Sequence, residues 1–304
     1  MNPSGRRTLW PVAVLIVVLG AAFAWWILHP VTRHQRQPVA RVVASATPSP
    51  AVTGAAAFPP STVTPSAAPA ASGAELAIVI DDCGQWLQME RAFIALPVPL
   101  TLAVLPDVPY THLIAGEAAA AGKGVMLHLP METISGLNPG PGKVTTEMSD
   151  AQIVAQVGAD LADVPLAEGV NNHEGSKATA DPRVMRDVAA ALKKHGNLFF
   201  VDSLTIGDSV AAARTRDAGI PTATRDVFLD DRADVAYIES QLLSAASIAR
   251  ERGSAIAIGH PRPTTLAAIR ALIPRLQAEG IRFVLVRRLV ASGSQPTSES
   301  SGRK

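Results

Sequence analysis

Cysteine is almost absent: Cys83 is the single one among 304 residues, which excludes an internal disulfide and every zinc finger built on thiolates. Aromatic residues make up only 4%, too few for the stacking platforms that hold single-stranded nucleic acid. An excess of either charge is missing as well. Lys plus Arg number 27 against 26 for Asp plus Glu, a formal net charge of +1, so no general field draws the protein to nucleic acid. No G-x-G-x-x-G follows the first apolar run of the later chain and no G-x-x-x-x-G-K-[ST] occurs, so the usual phosphate cradles of nucleotide-binding proteins are lacking. What the chain holds in quantity is apolar residues, 48% of the total, and they are unevenly spread.

Residues 9–28 read LWPVAVLIVVLGAAFAWWIL without a charge, and as a helix they would span the hydrocarbon core of a bilayer. Trp10 stands at one end and Trp25 and Trp26 at the other, where indole rings favour the headgroup zone. A cleavable signal peptide has a shorter apolar run and a small-residue cleavage site close behind it. Here His29-Pro30-Val31-Thr32-Arg33 follows, and the reading is a retained single-pass anchor preceded by residues 1–8. Arg6 and Arg7 on one side face Arg33, Arg36 and Arg41 on the other, so the positive-inside rule does not set the orientation. Residues 29–74, rich in Pro, Ala, Ser and Thr, bury too little to offset their ordering entropy and read as a tether. Residues 292–304 read as a polar, disordered tail, which leaves one folded domain, residues 75–291.

Within that domain short aliphatic runs alternate with alanine-rich stretches of helical period, the rhythm of βα units around a parallel sheet. Strands are expected at Leu76–Ile80, Leu100–Leu105, Gly124–Leu127, Gly169–Asn171, Leu198–Val201, Pro221–Thr224, Ala255–Ile258 and Arg282–Val286. Helices are expected at Tyr110–Ala121, Asp150–Ala162, Pro182–His195, Ser209–Ala218, Val235–Arg252 and Pro263–Gln277. Seven or eight such units favour a distorted (β/α) barrel over an open doubly wound sheet.

In such barrels chemistry is built where strands end, and here the strand ends are polar. The first runs into Asp81-Asp82, the third into His128-Leu129-Pro130-Met131-Glu132, the fourth into Asn171-Asn172-His173-Glu174, the fifth into Asp202-Ser203, the sixth into Arg225-Asp226 and the seventh into His260. Neighbouring residues of a strand point to opposite sides, so Asp81 and Asp82 are expected to do different jobs. One carboxylate can ligate a divalent metal while the other takes a proton from water. Cys83, beside them, is read as a packing residue, Asp202 either as a support for a ligand histidine or as a helix cap, and Asp230-Asp231-Arg232-Ala233-Asp234 as the start of a helix.

Taken together, Ala77-Ile78-Val79-Ile80-Asp81-Asp82, His128-Leu129-Pro130-Met131-Glu132, Gly169 to Ser176, Phe200-Val201-Asp202-Ser203 and Ile258-Gly259-His260-Pro261 resemble the divergent polysaccharide deacetylases, a branch of the NodB-type carbohydrate deacetylases. The resemblance implies a NodB-like distorted barrel and metal-dependent removal of acetyl groups from an envelope polysaccharide, commonly with zinc. It implies Asp81 as general base, Asp82 and His128 as metal ligands with His173 or Glu132 completing the set, and His260 as general acid. Asn171, Asn172 and backbone amides near Gly175 are candidates to steady an oxyanion, with Asp202, Ser203 and Arg225 as further substrate or supporting residues. No Arg-x-Pro-Tyr and no Asp-x-x-Asp-Trp occurs, which keeps open an alternative: a weakly active or inactive barrel that binds glycan or an envelope protein. The implied compartment is the inner membrane, with the folded domain facing the periplasm or cell exterior; acetylated polysaccharide and the membrane are the implied partners, and no nucleic acid or nucleotide.

Overall fold

The computed structural model describes residues 73–293. The anchor expected at 9–28, nearly all of the tether and nearly all of the tail lie outside them. Among the described residues no helix is long and apolar enough to cross a membrane.

Among the described residues nine parallel strands occur in chain order: β1 (Glu75–Cys83), β2 (Thr101–Val104), β3 (Gly124–Met131), β4 (Gly169–Glu174), β5 (Phe199–Asp202), β6 (Thr222–Thr224), β7 (Val227–Phe228), β8 (Ser254–Gly259) and β9 (Arg282–Val284). The eight helices among the described residues are α1 (Leu87–Ile94), α2 (Thr111–Ala120), α3 (Asp150–Asp163), α4 (Pro182–His195), α5 (Ala211–Asp217), α6 (Val235–Arg252), α7 (Pro263–Ala278) and α8 (Val286–Gly293). Their starts follow local rules. Ser149 and Gln152 close a capping box ahead of α3, and the Asp181 side chain accepts the N–H groups of Arg183 and Val184 where Pro182 opens α4, each satisfying donors that a helix start leaves orphaned.

The strand order is β6-β5-β4-β3-β2-β1-β8-β7. The two ends of this row are joined by the chain itself: residues 222–224 pair with β5 and residues 227–228 pair with β8. The sheet therefore curls into a distorted barrel, as the strand rhythm predicts. β9 fills the wedge left at the start of β1, pairing with Glu75 to Ala77 while β2 takes over from Val79 onward. β7 is an addition to the expected strands, too short to register as an apolar run. The last expected strand is shorter than predicted, because the chain turns into α8 at Val286.

Two-residue alternation sorts the side chains into layers. Leu76, Ile78 and Ile80 point outward under the helices with Phe93, Leu102, Val104 and Leu127, each fully buried aliphatic side chain contributing about 1.5–3 kcal/mol. Ala77, Val79, Ala103, Met126, Val201, Ile256 and Ile258 point inward, where Val286, Leu289 and Val290 of α8 plug the lower end. Gly169 belongs to this inner row, and a β-carbon there would lie 2.4 Å from the Phe199 ring; its absence lets that ring fill the floor. Continued upward, the inward row becomes Asp81, His128, Asn171, His173, Ser203 and His260.

Candidate metal and proton-transfer site

The inward residues at the strand ends line a cavity of about 360 Å3, shared by Asp81, Asp82, His128, His173, Ser203 and His260 among others. A larger cleft of about 580 Å3 lies between Leu192 and Val290; among the described residues the group of side chains that could hold a metal ion is instead at the rim, formed by Asp82, His128 and His173.

Asp82 reaches this set through a break in its strand. The pairing of β1 with β2 shifts register between Ile80 and Cys83, and Asp82 has a φ of +57°, a left-handed conformation that aspartate tolerates better than most residues. The expectation that Asp81 and Asp82 face opposite ways is thereby corrected: both carboxylates face His128, whose Nε2 lies 3.7 Å from Asp81 Oδ2 and 3.2 Å from Asp82 Oδ1. Glu174 and Leu204, at the ends of β4 and β5, are left-handed too. Strained backbone of this kind concentrates where side chains are aimed for function.

Three atoms form a triangle. His173 Nδ1 lies 2.8 Å from Asp82 Oδ1 and 3.0 Å from His128 Nε2, and His128 Nε2 lies 3.2 Å from Asp82 Oδ1. Two imidazole nitrogens and a carboxylate oxygen at zinc bond lengths in a tetrahedral arrangement stand about 3.3 Å apart, so the triangle already has nearly the size a small divalent cation needs. Asp82 Oδ1 is also buried without a properly directed hydrogen bond, an orphaned acceptor of the kind that calls for an ion. Three protein donors, leaving further positions open, match the donor set of catalytic rather than structural zinc. Burial works against the Asp82 charge, yet His128 and His173 hold its carboxyl far below the usual range.

Behind His128 stands Asn171. Its Oδ1 lies 2.9 Å from His128 Nδ1, and its amide nitrogen donates to Asp81 Oδ1 at 2.8 Å and to Ser203 Oγ at 3.2 Å. Burial raises the Asp81 carboxyl above its ordinary value, against the opposing charges of His128 and His260 and the hydrogen bond from Asn171. Burial likewise disfavours a charged His128, but Asp81 and Asp82 outweigh it and raise the ring's pKa.

His260 is held differently. Its Nδ1 lies 2.9 Å from Oδ1 of Asp230, a fully buried carboxylate that also accepts the His260 N–H and the Thr265 hydroxyl. The other ring nitrogen, Nε2, lies 3.8 Å from Asp82 Oδ2. Burial opposes a charge on the ring, and Asp230, Asp82 and Asp81 overcome it, so the His260 pKa is raised. Asp230 was not singled out by the sequence, where it is read as part of a helix start. That role falls to Asp234, whose Oδ1 accepts the Tyr237 N–H ahead of α6. The available signal was its position directly after Val227-Phe228-Leu229, an acid at the end of a strand too short to recognise.

The remaining candidates are placed as follows. Glu132 turns away from the cavity: Oε1 takes the Lys177 ammonium and Oε2 accepts the Thr146 N–H and hydroxyl. Burial opposes that charge, but these partners hold its pKa at about 2, and it is His173 that stands with Asp82 and His128 in the cluster able to hold a metal. The amide hydrogens of Asn171 are already committed, and Asn172 Nδ2 donates to the Glu174 carbonyl and Thr205 Oγ1 while its Oδ1 accepts the Ser203 N–H, so neither asparagine has a hydrogen left for an oxyanion. Asp202 is the helix cap of its two readings, accepting from Leu204 N, Ser209 Oγ and Ala212 N. Arg225 donates to the carbonyls of Ser203 and Leu204 and stacks on Phe228, holding the β5 loop rather than touching the acids. Cys83 is fully buried and packs in the outer core.

The chain is similar to several known proteins. The sequence model of the divergent polysaccharide deacetylases matches residues 78–290. An uncharacterized protein of Haemophilus influenzae is 41% identical over 210 residues, 69% of this chain and 74% of its own length. An uncharacterized protein of Escherichia coli K12 is 39% identical over 202 residues, 66% of this chain and 63% of its own, so less than two thirds of that relative is spanned. A crystal structure of an uncharacterized protein from Agrobacterium tumefaciens C58 superposes with a TM-score of 0.65 at 25% identity, over 73% of this chain and 91% of that one.

Proposed function

The chain belongs to the divergent polysaccharide deacetylase family, and on that premise we propose that it hydrolyses acetyl groups from an envelope polysaccharide at a divalent-metal site. The observation that carries this reading is the convergence in one cavity of a three-donor metal triangle, a raised carboxyl and a carboxylate-backed histidine. Asp82, His128 and His173 would hold the cation, for which zinc suits the donor set. When bound, it supplies Lewis acidity toward a carbonyl oxygen and toward water.

The residues of the chain do the proton work. Asp81, desolvated and pinned by Asn171, is the stronger base of the adjacent pair and accepts a proton from the attacking water. His260, oriented through Nδ1 by Asp230, turns Nε2 to the cavity and gives a proton to the departing sugar nitrogen or oxygen. The acyl–heteroatom bond breaks, acetate leaves, and the proton on Asp81 returns through solvent to His260. The same reading sets the domain outside the cytoplasm, tethered by residues 29–74 to a single membrane-spanning helix at 9–28, beside the polymer it would act on.

The test is acetate release by the metal-loaded full chain from N- and O-acetylated oligosaccharides. Hydrolysis by wild type, with Asp81→Asn retaining metal but losing turnover, is expected. A metal-bearing wild type that releases no acetate from any of them would replace this reading with the glycan-binding barrel.

A further inference from the structure

A second hollow of about 460 Å3 runs on from the cavity and is lined by Asp82, Trp86, Met89, His260, Pro261 and Arg262 together with Pro263. Asp82, His260 and Arg262 belong to both, so the two form one groove. Trp86 stands in it with half of its surface open, at 50% exposure.

This exposure is built, not a loose end. The fully buried Glu90 places one carboxylate oxygen 3.0, 2.9 and 2.8 Å from the N–H groups of Gly84, Gln85 and Trp86, fixing the backbone between the left-handed Asp82 and the start of α1. Gly84 adopts a φ of +106°, and a β-carbon there would lie 2.7 Å from the Val108 side chain, so the turn favours glycine at this position. A large apolar surface left in water costs free energy that a ligand covering it recovers, and a backbone already anchored leaves less to be ordered when the indole is covered.

The position of the indole says which part of a substrate would cover it. His260 protonates the leaving group, and the leaving group stays attached to the sugar; the saccharide must therefore lie on the His260 side of the cavity, which is where Trp86 and Pro261 stand. The flat apolar face of an indole presents a large contact area at low entropic cost and fits the C–H face of a pyranose ring. We propose that Trp86 is the stacking platform for the pyranose next to the acetylated one, making this a site for a chain of sugars rather than for a single acetylated unit. The proposal rests on the deacetylase reading for the side on which the sugar lies.

The experiment measures binding rather than turnover, using the full chain in detergent, chitotetraose and N-acetylglucosamine as probes, and ligand-observed NMR titration. Wild type should bind the tetrasaccharide more tightly than the monosaccharide. Trp86→Ala should weaken tetrasaccharide binding by about tenfold with metal content retained, and Trp86→Phe, which keeps a flat ring, should recover most of the loss. Unchanged affinity in Trp86→Ala, or a wild type that does not prefer the tetrasaccharide, overturns the proposal. Trp86-dependent binding without acetate release would remove the hydrolytic reading and leave the platform; acetate release with Trp86-independent affinity would do the reverse.

Discussion

His128 and His260 flank the same aspartate pair, yet what stands behind each ring differs. The Nδ1 of His128 faces a neutral amide oxygen, that of Asn171, and its Nε2 points into the triangle with His173 and Asp82. The Nδ1 of His260 faces the buried carboxylate of Asp230. On the proposed reading the amide oxygen behind His128 orients that ring toward a cation, while the carboxylate behind His260 stabilises its imidazolium. Asp81 and Asp82 raise the pKa of both rings, so on the proposed reading it is the group behind each ring that sets the two apart.

The sharpest way to break this contrast is on the ligand side. His173→Ala should weaken divalent-metal binding more than about 100-fold, read as loss of stoichiometric metal after dialysis, and a variant that keeps its metal would dissolve the triangle as a site. Asp230→Asn acts on the other half. Acetate release should fall about 100-fold with metal retained. The carboxylate raises the His260 pKa and the acid works only when protonated, so removing that charge should move the alkaline limb of the pH–rate profile to lower pH. A shift upward would contradict the assignment.

A third experiment sharpens the comparison with a buried carboxylate that no histidine meets. Asp160 accepts only from Gln156 through Oδ1, its Oδ2 is unsatisfied, and burial, with Asp163 and Asp107 nearby, pushes its pKa from 3.8 to about 7. Across that window the native protein binds more protons than the unfolded chain, so its stability falls as pH rises and then levels off. Asp160→Asn should therefore gain stability of order 2 kcal/mol at pH 8, and markedly less at pH 5, in denaturant melts. Glu132→Gln is the smallest effect: with its partners Lys177 and Thr146 partly in solvent, it should change stability by no more than about 1 kcal/mol and leave metal content untouched. Loss of metal there would restore Glu132 to the ligand set.

Much of this was legible in the residues. The eight expected strands all exist, and α4 and α6 begin and end at Pro182–His195 and Val235–Arg252 as their apolar period and Asp, Pro and Gly punctuation predict. Asp81, Asp82, His128, His173 and His260 are legible because each lies within a few residues of the end of an aliphatic run. The choice between His173 and Glu132 could not be made, since both follow strands; it depends on Lys177 and Thr146 drawing one of them aside. Asp230 escaped because β7 has only two residues and shows no periodicity.

The sequence by itself determined the (β/α) order, the inward row of polar residues and the chemistry available at the rim, because alternation along a strand and capping at a helix end are local rules. Only the tertiary structure decided which of those groups meet. The left-handed turn at Asp82, where β1 slips against β2, and the carboxylate behind His260 involve segments far apart in the chain, and a hydrogen bond across 30 residues leaves no pattern in the order of the residues that make it.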